Sequence, residues 1–226
     1  MSVHFLRQID KLKRLILTLG EFVQDAVDIA IRSVTDRDEK LAEQVFVIEK
    51  KSDSLEVEIE EECLHALALH QPVAFDLRYV VSVLKINTDL ERVADLSVNI
   101  AEQAQFLMRE EKLLEPLFDL PHMSRTVRGM LRDALKAMID VDMPLAQRVV
   151  EADETVDSIH ESVYDQIYSR IRQTPDKAEA LIHYLSISRQ LERIADHAVN
   201  IAEDVIYTSG GEIVRHRKNK AEPANA

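Results

Sequence analysis

The sequence predicts an all-α protein: two tandem, homologous three-helix bundles, six long helices in antiparallel up-down order. Three observations predict it. Residues 90–102 read LERVADLSVNIAE and residues 191–203 read LERIADHAVNIAE, with ten of thirteen positions identical at an offset of 101. Apolar residues recur in steps of three and four through most of the chain, and no Val/Ile/Thr-rich alternating segment argues for strands. The composition of the 226 residues, with four Gly, no Trp and 46% hydrophobic residues, suits helices around a sizeable core.

The first helix spans residues 3–34, with Phe5, Ile9, Leu12, Ile16, Leu19, Val23, Ala26, Ala30 and Val34 as its stripe. Thr35 to Asp38 break it, and Asp38 is a natural N-cap for the second. That helix carries Leu41, Val45, Ile48, Ser52, Leu55, Ile59, Cys63 and Ala66, and ends near His70; Pro72 marks the turn. The third runs from about Phe75 to Met108 on Tyr79, Val83, Ile86, Leu90, Ala94, Ser97, Ala101 and Ala104. These make the first repeat, 1–108.

Residues 109–121, with two prolines, read as the connector. The second repeat, 122–208, opens with a helix from His122 to Ile139 on Val127, Met130, Leu131, Ala134 and Met138. Asp142 stands where Asp38 stood, followed by Pro144, which an opening turn tolerates. Leu145, Val149, Ala152, Val156, Val163 and Ile167 line the next helix, and Thr174-Pro175 the turn. The last helix runs from about Lys177 to Tyr207. The tail, 209–226, is expected to be disordered.

A formal charge of −13 argues against nucleic acid, whose phosphates need basic patches. No run approaches the ~20 apolar residues of a membrane span. The opening residues lack the apolar core of a signal peptide, and the one cysteine, Cys63, reads as a buried apolar residue; both suggest a reducing, cytoplasmic setting.

The chemistry lies in carboxylates. Glu91 and Asp95 are four residues apart, as are Glu192 and Asp196. Such like-charge pairs cost a helix roughly 0.2–0.5 kcal/mol each. The middle helices carry Glu49/Asp53 and Asp153/Asp157. When each hairpin is folded about its turn, the midpoint of the first four falls on Pro72 and that of the second between Thr174 and Pro175. Antiparallel neighbours equidistant from a turn lie side by side. Each bundle therefore brings four carboxylates to one level. At ~100° per residue they flank the core rather than fill it, which predicts a shallow groove open to water. Asn99, Glu102, Glu56 and Glu60 extend these ridges, as do Asn200 and Glu203. All-oxygen sets suit hard cations such as Mg²⁺ and Mn²⁺, or iron. A solvated acidic face is the alternative. Glu62-x-x-His65 and Asp157-x-x-His160 lack the duplication a di-iron motif needs. His197, whose counterpart is Leu96, cannot be essential to both grooves. Arg92 and Arg193 point about 100° away from their neighbouring carboxylates.

In these residues the chain resembles the PhoU family of phosphate-uptake regulators from about His4 to Tyr207. The resemblance rests on the duplicated unit and the E(D)xxxD motif, EKKSD at 49–53, ERVAD at 91–95, DETVD at 153–157 and ERIAD at 192–196. It implies a cytoplasmic, non-enzymatic, homodimeric protein that acts with a phosphate ABC transporter ATPase subunit and a phosphate sensor histidine kinase. It implies negative regulation of the phosphate-starvation response. It implies metal cations (iron, zinc, manganese or magnesium), which some members of the family hold as multinuclear clusters, on Glu49, Asp53, Glu91, Asp95, Asp153, Asp157, Glu192 and Asp196. A carboxylate-bridged metal enzyme and a purely structural bundle are the competing readings.

Overall fold

The computed structural model describes residues 3–109 and 118–210. The described residues form six α-helices and no strand: α1 (Val3–Asp36), α2 (Glu39–His70), α3 (Ala74–Met108), α4 (Leu120–Asp140), α5 (Met143–Gln173) and α6 (Ala178–Gly210). A single 3-10 turn, Pro175–Lys177, precedes α6.

The caps follow the sequence. Asp38 accepts the amide of Lys40, and Asp142 accepts that of Leu145, both at 2.9 Å. Arg37 and Val141, equivalent at an offset of 104, turn the chain in left-handed backbone at φ 53° and 52°. The first hairpin turns through Gln71, Pro72 and Val73, centred on Pro72 as expected.

Two boundaries differ. Helix α4 starts at Leu120, not His122, because Asp119 caps it and Pro121 falls in its first turn, where the missing N–H is no loss. Helix α6 continues through Ser209 to Gly210. The rest of the expected connector, 110–117, and of the expected tail, 211–226, lies outside the described residues.

Helices α1–α3 pack as one bundle and α4–α6 as the other, joined mainly by α3 against α6. Arg78 and Ser82 reach Thr208, Lys85 reaches Asp204, Asp89 reaches His197, and Gln103 reaches His183. Rising numbers on α3 meet falling numbers on α6, so the two run antiparallel. By that register the crossing is centred on Val93-Ala94 and Ile194-Ala195, all buried. The repeated segments therefore face each other about an approximate two-fold axis. This explains why α3 buries residues on several sides, Val93 and Leu96 as well as the Leu90–Ala94–Ala101 stripe. Helix α1 likewise buries a second face, Gly20, Val27 and Ile31, beside its main stripe. A methyl added to Gly20 would stand 2.8 Å from Leu135 of α4.

Candidate functional site

In the first hairpin, α2 presents Glu49, Asp53 and Glu56, and α3 presents Glu91 and Asp95. Buried Val45, Ser52 and Ile59 on α2 and Leu90 and Ala94 on α3 turn inward, which leaves the carboxylates at the rim. Glu49, Glu56, Glu91 and Asp95 are partly buried and Asp53 is exposed.

Their electrostatics show that the helices bring them together. Glu49 is held above the ordinary carboxylate range by burial, then by Asp53 and by Asp95 across the hairpin. Glu91 is raised by burial and by Asp95, with Glu56 and Asp53 of the facing helix adding to it. Glu56 is raised by burial, Glu60 and Asp53. Facing carboxylates oppose one another's ionisation, and a cation between them would relieve this.

The second hairpin repeats the arrangement. Glu192 is raised by burial and then by Asp157 and Asp153 of α5. Asp196 is raised by burial, Glu192 and Asp157. One member departs from the expected open groove. Asp153 is 8% exposed, because α5 turns it inward with Val149 and Val156.

Arginines intervene more than residue spacing suggests. Arg92 does not stay on its own face: its side chain bends back to Glu91 at 3.4 Å and Asp95 at 3.9 Å. Length and flexibility overcome the 100° offset of its Cα. Arg189 and Arg193 lower the Glu192 carboxyl in opposition to its acidic neighbours. Arg189 stands where the first repeat has Thr88, a difference visible on aligning the two halves.

The histidines and amides lie elsewhere. His160 takes the place of Glu56, bonds Ser188 at 2.8 Å, and is lowered by burial and by Arg189. His197 faces the seam between bundles and bonds Asp89 at 2.8 Å; Asn200 donates to the same Asp89 oxygen at 3.2 Å. Asn200, Glu203 and Asp196 line an open volume of about 590 Å³ with Lys85 and Asp89 of α3. Asn200 thus reaches across to the other bundle. Asn99 is partly buried and Glu102 exposed on α3. Glu62 is paired with Lys11 at 2.8 Å and His65 is exposed. Cys63 is fully buried, and burial pushes its thiol up to about 12.

The donor chemistry fits hard or borderline cations: facing carboxylates, partly desolvated, with their ionisation mutually opposed. Apart from Asp153, the eight carboxylates are partly or fully exposed. Among the described residues no three His, Cys, Asp or Glu side chains are already gathered to hold an ion.

A family model described as the PhoU domain matches residues 16–104 and again 120–205. The chain belongs to the PhoU family. Its two PhoU domains are the two bundles, and the match covers the four carboxylate pairs. The chain is 36% identical to the phosphate-specific transport system accessory protein PhoU homolog 1 of Thermotoga maritima, over 92% of this chain and 90% of that protein. It is 37% identical to the corresponding PhoU homolog of Aquifex aeolicus, over 95% and 96%. The crystal structure of PhoU from Pseudomonas aeruginosa superposes with a TM-score of 0.89 at 33% identity, covering 92% of this chain and all of that one. The phosphate transport system regulatory protein PhoU from Streptococcus pneumoniae superposes at 0.83 and 29% identity, over 93% and 99%.

Proposed function

We propose that the chain is an accessory regulator of a phosphate transport system whose carboxylate hairpins hold metal cations. The relatives' names support the phosphate-transport role, and the match runs over nearly their whole length. The observation that carries the site is the duplicated coupling of Glu91 with Asp53 and of Glu192 with Asp157 across their hairpins. Two hairpins of different length bring their carboxylates to the same level relative to the turn.

In this reading Glu49, Asp53, Glu91 and Asp95 hold one cation group, and Asp153, Asp157, Glu192 and Asp196 the other. Bound cations, whether iron, zinc, manganese or magnesium, would supply positive charge and open coordination positions on an otherwise acidic face. The protein's own residues set the level and spacing of the donors, and Arg92, Arg189 and Arg193 moderate the charge when metal is scarce. The outer helical faces then dock on the transporter's ATPase subunit and on a sensor histidine kinase, restraining uptake and the starvation response when phosphate is plentiful. The protein works at the cytoplasmic face of the membrane as a homodimer. No helix among the described residues is long and apolar enough to cross a membrane.

A strain carrying alanine at the eight carboxylates, with a phosphate-starvation reporter, tests this. Derepression in phosphate-rich medium, with normal protein levels, is the expected result. Intact repression would remove the carboxylates from the regulatory role.

A further inference from the structure

The acidic hairpins have a basic opposite elsewhere on the molecule. Helix α4 carries Arg125, Arg128 and Arg132 in steps of three and four, so all three share a face. They line an open volume of about 510 Å³ between α1 and α4, completed by Gln24, Asp25 and Asp28. Gly129 sits among them, with nothing within 4 Å of where its Cβ would be. A seam meant only to bind the bundles by ion pairs would close these groups upon one another. It does so once, between Arg128 and Asp28 at 2.6 Å. Arg132 turns instead to its neighbour Asp133 at 3.0 Å, and Arg125 has no ion pair with the described residues. In a chain of net charge −13, the three guanidiniums around this cavity outnumber the two carboxylates, Asp25 and Asp28, that line it with them.

We propose that this α1–α4 cavity binds inorganic phosphate, with Arg125, Arg128 and Arg132 on its oxygens and Asp25 or Asp28 accepting its proton. Guanidinium forks match tetrahedral oxyanions. The aspartates set the specificity. Inorganic phosphate keeps a proton at physiological pH and can donate it to a carboxylate. Sulfate has none to give, and a phosphate monoester loses its last near pH 6. An unprotonated oxyanion beside a carboxylate meets repulsion in place of a hydrogen bond. The site uses none of the hairpin carboxylates, so it stands or falls independently of the metal reading.

The test is calorimetric titration of the chelator-treated full chain with inorganic phosphate, sulfate and glycerol phosphate at a pH above 7. Phosphate should bind at least about tenfold more tightly than either competitor, a difference of ~1.4 kcal/mol. Arg125→Gln/Arg132→Gln, whose side chains are exposed, should lose at least about tenfold in phosphate affinity. Gly129→Leu should block the cavity without removing a charge. Asp25→Asn/Asp28→Asn should weaken phosphate and strengthen sulfate. No heat with phosphate in the wild-type chain would overturn the proposal. So would equal affinity for sulfate, or phosphate binding that survives both the arginine and glycine variants.

Discussion

Asp89 of α3 and His197 of α6 meet at 2.8 Å across the seam between the bundles, and the approximate two-fold axis does not repeat the contact. On the other side the equivalent residues are Gln190 and Leu96, and the buried Gln190 Oε1 has no hydrogen-bond partner among the described residues. The two PhoU domains are therefore docked by unequal seams. His197 distinguishes the seams, and in the second groove it also opposes the rise of the neighbouring Asp196 carboxyl.

The Asp89–His197 pair is largely buried, with side chains 14% and 18% exposed. Hydrogen bonds to charged groups contribute ~1.5–3 kcal/mol, and removing one partner leaves the other stranded. A double-mutant cycle with Asp89→Asn and His197→Leu, read by urea unfolding, should show coupling of about 1 kcal/mol or more. Additive effects would mean that the contact is incidental to docking.

Gly20 lets α1 approach α4, and Leu135 occupies the space a side chain would need. Gly20→Val should lower stability by about 1–3 kcal/mol through overpacking. Adding Leu135→Ala should restore part of that loss. If the second change only adds to the first, the two residues do not share the space.

Cys63 should be silent in the native protein. Its thiol, pushed up to about 12, is almost never a thiolate at pH 8, and its side chain is wholly covered. A thiol reagent should label it only on unfolding, with the rate tracking denaturant. Rapid stoichiometric labelling without denaturant would place Cys63 outside the core.

Folding raises the carboxyls of Glu49, Glu91, Glu192 and Asp196. The native state then holds these protons more tightly than the unfolded chain. Each group contributes stability as the pH falls through its folded value and withdraws it as the pH rises. His160 acts oppositely: its folded value is lowered, so stability is lost as the pH falls below the usual imidazole range. The Glu49→Gln/Glu91→Gln/Glu192→Gln/Asp196→Asn variant isolates the carboxylates. Without metal it should exceed wild type in stability at neutral pH, by on the order of 0.5 kcal/mol per like-charge pair. The gap should close toward about pH 4, where wild type is itself protonated. A gap unchanged with pH would refute the mutual repulsion.

Much of this was legible because helical periodicity and hairpin symmetry are local properties. The stripes, the caps Asp38 and Asp142, and the turn at Pro72 all follow from spacing. What the sequence hid was set by contact between distant segments. The second face of α1 is small and sparse, Gly20 beside Val27 and Ile31, so it reads as part of the polar side until α4 covers part of it. Asp153 is buried where its counterpart Glu49 is only partly so, although the buried positions flanking them, Val149 and Val156 against Val45 and Ser52, match. Arg92 returns to Glu91 and Asp95 because side-chain reach is not fixed by Cα direction. The partner of His197 is 108 positions away on another bundle.

The proposed role rests on the paired carboxylates acting as cation sites. Elemental analysis of protein purified without chelator or affinity metal, beside the Asp95→Ala/Asp196→Ala variant, tests it most directly. The wild-type chain should carry bound iron, zinc or manganese that falls sharply in a variant of unchanged fold. Equal metal content in the two proteins, or none in the wild type even after equilibration with these ions and magnesium, would contradict it.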